Sequence, residues 1–444
     1  MEKTIALNQI HAMRENFLND PQRCARMSAV TKVGINDSAE NFLAPVHTPN
    51  TFSVEITPDK IVSQNHSGRC WLFAAMNVMR SKVIRSLNLE PEFELSQSYL
   101  FFWDKLEKAN HFLENVLRTL DRAQDDRLIN WMLTTAFEDG GQWDMAVGII
   151  EKYGVCPKTV MPESFSSSNS AAMDKMLTLK GRIFAKELRD GYRAGKSIEE
   201  LSQRKEAMLQ EIFNILCISL GTPPETFDFE IRDKDRKFIR DEGLTPVEFF
   251  HKYVDMDLSQ YVSLINAPTA DKPFYETFTV DYLGSVEGGK PILYLNLPVE
   301  ELKAAARKQL ESDEPVWFGS DVGQMHNRKN GLMSMEAFDY NTLLCADFAL
   351  DKGARLDSCE SLMTHAMVLT GVNVQNGKTN RWKVENRWGT DAGVDGWFRM
   401  DDNWFSEYVY QVVINKKFLT DEQLKALEKQ PHHLNPWDPM GSLA

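Results

Sequence analysis

The sequence predicts an α+β protein with a helical lobe and a β-rich lobe. Three observations predict it: apolar residues at helical spacing through the first half, short strand-like runs through the second, and two long amphipathic helix patterns between them. Met1 to Asp20 is charged and helical in pattern, with no apolar core of signal-peptide length. From Cys70 to Leu87, apolar residues surround the opening turns (Trp71, Leu72, Phe73, Ala74, Ala75, Met76), the mark of a buried helix. Gln142 to Tyr153 is a further helix, closed by Gly154 as a C-cap. Two amphipathic helices follow, one carrying Met173, Met176, Leu177, Ile183, Phe184 and Leu188, the other Ile198, Leu201, Met208, Leu209, Ile212 and Phe213. The segment Asp190-Gly191 to Lys196-Ser197 is expected to break them apart. Strands are expected over Thr277 to Leu283, Pro291 to Leu297, Pro315 to Val322, Ala366 to Val374, Arg381 to Trp388 and Tyr408 to Ile414. A helix starts at Asp421, and Pro436-Trp437-Asp438-Pro439 cannot continue it. The expected units are an N-terminal segment with the helical lobe (1–165), a helical insertion (166–274), the β-rich lobe (275–420), and a C-terminal helix and tail (421–444).

Composition narrows the function. The 444 residues are 43% hydrophobic and 26% charged, an ordinary globular mixture. A net charge of -14 repels phosphate, so neither nucleic acid nor an anionic membrane surface is an expected partner. No apolar run approaches the length of a membrane-spanning helix. The six cysteines (Cys24, Cys70, Cys156, Cys217, Cys345, Cys359) are sparse and form no CxxC pair, which points to free thiols in a reducing cytoplasm. Cys345, Cys359 and His365 are close in sequence, as are His432 and His433, but none has zinc-ligand spacing; no metal or other cofactor is expected.

The sharpest local signal is Gln64-Asn65-His66-Ser67-Gly68-Arg69-Cys70-Trp71-Leu72-Phe73. A polar, Gly-containing loop delivers a cysteine to the start of a buried helix. The partial positive charge and free N–H groups of a helix N-terminus favour a thiolate, the reactive form. Gln64 lies six residues upstream, where its amide can turn back beside the sulfur and join the Cys70 backbone N–H as an oxyanion hole. A structural cysteine opening a core helix is the competing reading, and the Gln, Gly and Trp around it weigh against that. A thiol nucleophile needs a base and an orienting group. His365 heads the apolar run Ala366-Met367-Val368-Leu369, and twenty-one residues later comes Glu385-Asn386-Arg387-Trp388-Gly389. A strand pair of this separation can hold the Asn386 amide against the His365 ring, with Trp388 shielding that hydrogen bond beside the substrate. The Cys70–His365 pair is expected to be ionic at rest.

At these residues the chain resembles the papain superfamily of cysteine peptidases. The matching elements are Gln64 with Ser67-Gly68-Arg69-Cys70-Trp71, Glu94-Leu95-Ser96-Gln97, Asp139-Gly140-Gly141, Tyr153-Gly154-Val155, His365-Ala366 and Asn386-Arg387-Trp388-Gly389, in the family's order. It is more closely similar to the bleomycin hydrolase and bacterial aminopeptidase C group, through Ser96 to Lys105, Asp139 to Met145, Pro223 to Phe227, Trp317-Phe318-Gly319, Trp404 to Tyr410 and the tail Pro436 to Gly441. The resemblance implies a two-lobed papain-like fold with a helical insertion and a C-terminal tail in the cleft. It implies Cys70 as nucleophile, His365 as base, Asn386 as orienting residue and Gln64 as oxyanion donor. Gly140 and Gly141 match the segment whose backbone pairs with an extended peptide substrate, their missing side chains permitting close approach. It further implies a homohexamer and, with the tail ending at Ala444, a broad-specificity aminopeptidase gated by its own C-terminus. The catalytic motifs leave an open-cleft endopeptidase as the alternative. An inactive binding scaffold would be expected to lack Cys70, His365 or Asn386. Arg387 departs from the family, which commonly has a small residue there, and its cation is expected to lower the imidazole pKa.

Overall fold

A computed structural model describes residues 4–56 and 60–443. Two N-terminal helices, α1 (Leu7–Leu18) and α2 (Pro21–Val33), bury none of their residues, and Leu7, Met13 and Val33 are exposed. Helix α3 (Cys70–Ser86) is the opposite case: Trp71, Leu72, Ala74, Ala75 and Met76 have no exposed surface. A helix apolar all round must lie between packed layers. Accordingly α3 packs against α4 (Gln97–Arg118) and α5 (Trp143–Tyr153) in the helical lobe, and against the sheet of the other lobe. Each large side chain buried in this way contributes roughly 1.5–3 kcal/mol. The pair α6 (Ala171–Arg193) and α7 (Ile198–Leu220) packs on α4.

The main sheet of the second lobe includes β3 (Tyr261–Ile265), β4 (Thr277–Val280), β5 (Tyr294–Asn296), β6 (Val316–Ser320), β7 (His365–Gln375), β8 (Lys378–Glu385), β9 (Trp397–Asp401), β10 (Val409–Asn415) and β11 (His432–Leu434), numbered after a separate hairpin, β1 (Phe227–Arg232) and β2 (Phe238–Leu244). Its order is β11-β4-β5-β3-β10-β6-β7-β8-β9. Antiparallel pairing sets His365 opposite Ser320 and Val368 opposite Glu385, so the end of β8 that leads into Asn386 lies beside the start of β7. The lobes meet at indoles: Trp143 and Trp317 are in edge contact at 6.4 Å, and Trp317 Nε1 donates to the Trp71 carbonyl at 3.2 Å.

One expectation needs correction. The stretch 166–274 is not wholly helical: α6 and α7 give way to the β1–β2 hairpin, and β3 pairs with β10 in the main sheet. Phe227 to Arg232 alternates buried and exposed residues, the strand period, while Tyr261 to Ile265 is too short and too uniformly buried to declare itself. The break between α6 and α7 lies within the expected segment but begins only at Ala194, because α6 continues through Gly191 to Arg193. A Cβ at Gly191 would come 2.9 Å from Leu201 Cδ2, so this glycine serves close packing of α6 on α7. Among the described residues no helix is long and apolar enough to cross a membrane, and no three His, Cys, Asp or Glu side chains converge as metal ligands do.

Gly154 does cap α5, with φ 69° and its N–H bonded to the Ile150 carbonyl at 2.7 Å. A Cβ there would also meet Pro246 backbone atoms at 2.2 Å. Gly154→Ala is expected to lose about 2 kcal/mol or more in urea unfolding. Gly377→Ala, at φ 77° but with nothing within 4 Å, should lose less.

Candidate active site

Cys70 is the first residue of α3, and it is 2% exposed. Its sulfur accepts from the Ala366 N–H at 3.5 Å, so the first strand turn after His365 touches the candidate nucleophile. His365 Nε2 lies 2.9 Å from Asn386 Oδ1, which also accepts the Arg387 backbone N–H at 2.7 Å. That second bond fixes Oδ1 as the acceptor, so Nε2 carries the imidazole proton and Nδ1 is left with the lone pair. The Trp388 ring lies 5.1 Å from the His365 ring, and Arg328 lies over Trp388 at 4.4 Å. The Gln64 N–H donates to the Arg387 carbonyl at 2.9 Å, and Ser63 bridges Trp388, so the oxyanion candidate and the His–Asn segment are joined through backbone. Gln64 Nε2 donates to the Ser67 carbonyl at 2.7 Å, which leaves its second N–H for a ligand. Cys70, His365, Asn386, Gln64 and Trp388 are therefore brought together.

Packing gives Gly141 a further reason to be glycine. A Cβ at Gly141 would come 2.4 Å from the Trp71 indole, so packing on α3 demands glycine there. The Gly140 carbonyl accepts from Lys108 Nζ at 2.7 Å. Lys108 also holds the Glu138 carbonyl and the Asp104 carboxylate, each at 2.9 Å. The tail passes close by: Gln142 Nε2 donates to the Ser442 carbonyl at 2.7 Å, and Ser442 Oγ donates to the Met363 carbonyl at 2.6 Å. Ala444 lies outside the described residues.

Several residues of the site gave little sequence signal. Asp139 belonged to a recognised motif without a role, yet its carboxylate accepts the Gly68 N–H at 2.9 Å and its carbonyl accepts Trp71 Nε1 at 2.8 Å. His326 stacks on Trp388 at 5.8 Å from a two-residue strand, His326–Asn327, paired with Leu332–Met333.

Burial weighs on both members of the pair. Burial pushes the Cys70 thiol up to about 11, against the Ala366, Trp71 and Cys70 N–H groups that favour the thiolate. Burial pulls the His365 imidazole down to about 4, with Asn386 opposing and Arg387 and Arg328 assisting. Arg387 thus acts in the expected direction, while its guanidinium pairs with Glu385 at 2.6 Å. Burial thus acts against both charged forms, while attraction between thiolate and imidazolium within the pair acts for them. The active form of the pair holds one proton, so kcat/KM falls when the pair gains a second on the acid side or loses its last on the alkaline side. Arg328→Gln removes a cation that disfavours imidazolium, so the pair should take its second proton more readily. The acid limb of kcat/KM is expected to move to higher pH; an acid limb identical to wild type would exclude an influence of Arg328.

Comparison with known proteins identifies the family. The Peptidase C1-like family profile matches residues 4–441. The chain is 47% identical to an aminopeptidase C of Listeria monocytogenes over 444 residues, the full length of both chains. It is 48% identical to an aminopeptidase C of Streptococcus thermophilus over 418 residues, 94% of each. The crystal structure of PepW from Lactobacillus rhamnosis superposes with a TM-score of 0.98 at 46% identity, covering 100% of both chains. The chain belongs to the Peptidase C1-like family and is a papain-like cysteine peptidase of the aminopeptidase C and bleomycin hydrolase group.

Proposed function

We propose that the chain removes residues from free peptide N-termini through Cys70, His365 and Asn386, and that its own C-terminal tail restricts it to that end. The observation that carries the reading is Ser442, bonded to Gln142 on one wall of the cleft and to Met363 on the other. A chain end stitched across the cleft leaves no path for a peptide running further upstream. Its terminal carboxylate, at Ala444, is then the partner for a substrate's α-ammonium group.

His365 Nδ1 takes the Cys70 proton as Sγ attacks the carbonyl carbon of the first residue, with the substrate backbone beside Gly140 and Gly141 and the leaving side near Trp388. The Cys70 backbone N–H and the second N–H of Gln64 hold the oxyanion. Collapse breaks the C–N bond, and His365 returns its proton to the departing amine. Water, deprotonated by His365, then cleaves the thioester and frees the first amino acid. His365→Ala is expected to lower kcat by on the order of a thousandfold. Asn386→Ala should cost less, since the ring stays but is held less well; equal losses would mean that Asn386 has another role.

The gate is tested with one peptide, free or N-acetylated, and two proteins, full-length and lacking Gly441 to Ala444. Full-length enzyme is expected to prefer the free peptide by on the order of a hundredfold. The truncated enzyme should gain cleavage of the acetylated one. Equal rates on both peptides by full-length enzyme would favour the endopeptidase reading.

The setting we propose is cytoplasmic, supported by six free cysteines of which Cys345 and Cys359 are exposed. The assembly we propose is a homohexamer, supported by the uncovered apolar residues of α1 and α2. Light scattering should give a mass near six times 50.8 kDa, and a monomer at micromolar concentration would refute it.

A further inference from the structure

A buried charge cluster stands next in sequence to Asn386. Glu385 is the last residue of β8 and is buried. Its Oε1 accepts from Asn77 Nδ2 at 2.8 Å and from Arg387 Nη1 at 2.6 Å, and Arg80 Nη2 lies 3.9 Å away. Asn77 and Arg80 belong to α3, and Asn77 comes about two helical turns after Cys70, on the same face. Arg80 in turn donates to the Lys60 carbonyl at 2.9 Å. One carboxylate oxygen thus ties the helix that carries the nucleophile to the segment that carries Asn386.

The cluster reaches the rest of the site through backbone. The Arg387 N–H donates to Asn386 Oδ1, the oxygen that also holds His365, and the Arg387 carbonyl accepts the Gln64 N–H. Apolar packing leaves a helix some freedom to slide or rotate on a sheet, whereas charged hydrogen bonds are directional and strong where water is excluded. A misplacement of about 1 Å costs on the order of a hundredfold in rate.

Charge gives Glu385 a second task. His365 must become an imidazolium when it takes the Cys70 proton. It is faced by Arg387 from the end of β8 and by Arg328 and His326 from the 326–328 segment, while Asp139 bears on Cys70. Burial pulls His326 down to about 4, so it is neutral. Arg328 is exposed and screened by water, whereas Arg387 is fully buried, where a charge is felt strongly unless a carboxylate offsets it. We propose that Glu385 is a positioning residue for the reaction: it holds α3 against the Asn386 segment, and it offsets the Arg387 charge so that His365 can take the proton. The inference rests on Cys70, His365 and Asn386 as the catalytic set.

The test follows kcat, KM and the acid limb of kcat/KM, with circular dichroism and urea midpoints to verify folding. Glu385→Gln keeps the shape and removes the charge. It is expected to lower kcat by about tenfold with KM within about twofold, and to move the acid limb to lower pH, because an uncompensated Arg387 makes the second proton on the pair harder to add. Arg387→Gln should move that limb to higher pH, and the double variant should bring it back near its wild-type position. Loss of stability alone does not produce opposite shifts that cancel. Asn77→Ala, a neutral loss on the α3 side, should lower kcat severalfold with the limb unmoved. If Glu385→Gln does not fold, Arg387→Gln and the double variant carry the same test. Unmoved limbs, shifts of one sign in both single variants, or an Asn77→Ala enzyme with wild-type kcat overturn the assignment. Cys70→Ala and His365→Ala run alongside: activity that survives either rejects the catalytic set, whereas inactive controls with unmoved limbs in the Glu385 and Arg387 variants reject this inference alone.

Discussion

Asp139 is the point at which three separately folded pieces of this chain are held in one geometry. Its carboxylate takes the Gly68 N–H of the nucleophile loop and the Ser170 hydroxyl of the insertion, and its carbonyl takes the Trp71 indole of α3. All of this is anchored on Lys105, which is fully buried, donates to the Phe137 carbonyl at 2.9 Å and also meets Asp174. Burial pushes the Asp139 carboxyl up, but Lys105 and the Asp174 and Ser170 hydrogen bonds outweigh it and hold the group below the usual range. Burial pushes Asp174 up to about 6, with Lys105 opposing and Asp139 adding to the rise. The two carboxylates therefore divide their roles around one ammonium: Asp139 carries the charge and Asp174 readily takes a proton. Loss of one partner in such a buried pair costs about 3–5 kcal/mol. Here that cost falls on the loop that aims Cys70.

The same burial that secures the site sets its chemistry. A sulfur 2% exposed at the head of a helix with no exposed apolar surface is poorly solvated as an anion, and so is an imidazolium beside Arg387 and Arg328. Separate charges are therefore disfavoured, whereas proton transfer within the pair creates no net charge. The helix N-terminus and the Ala366 N–H oppose this burial by favouring the thiolate. A sequence shows a helix start and a histidine but not how dry their meeting place is.

What the sequence made legible was whatever depends on local pattern. The loop from Gln64 to Phe73 announced a buried helix headed by cysteine, and α3 begins at Cys70. His365 and Asn386 could be paired because two strand-like runs so close in sequence, β7 and β8, form an antiparallel hairpin. Long-range placement was not legible. Lys105 and Lys108 look like solvated helix charges, yet both are buried because the 137–140 segment folds over them with its carbonyls inward. Nor does local pattern show that the Trp71 indole occupies the space a side chain at Gly141 would need. The strand Tyr261–Ile265 sits inside a helical stretch and joins the sheet through β5, about 30 residues on, and β10, about 150 residues on, both beyond the reach of a local window.

The tail shows how a chain end can be ordered at all. Fixing each backbone residue costs about 1–2 kcal/mol in entropy, so a terminal segment stays in place only when several contacts hold it. Here β11 pairs in parallel with β4, and Asp438 forms an ion pair with the buried Lys272 at 2.9 Å. Arg127 covers the Trp437 ring at 4.2 Å, and a 3-10 turn from Pro439 to Gly441 follows. Proline at 436 and 439 narrows the unfolded ensemble and so lowers the entropy lost. Rigidity therefore accumulates up to Gly441, and the two Ser442 hydrogen bonds are made by a segment already aimed. That order matters for the cleft. Anchors set back from the chain end carry the cost of ordering, so the last residues are held by few contacts.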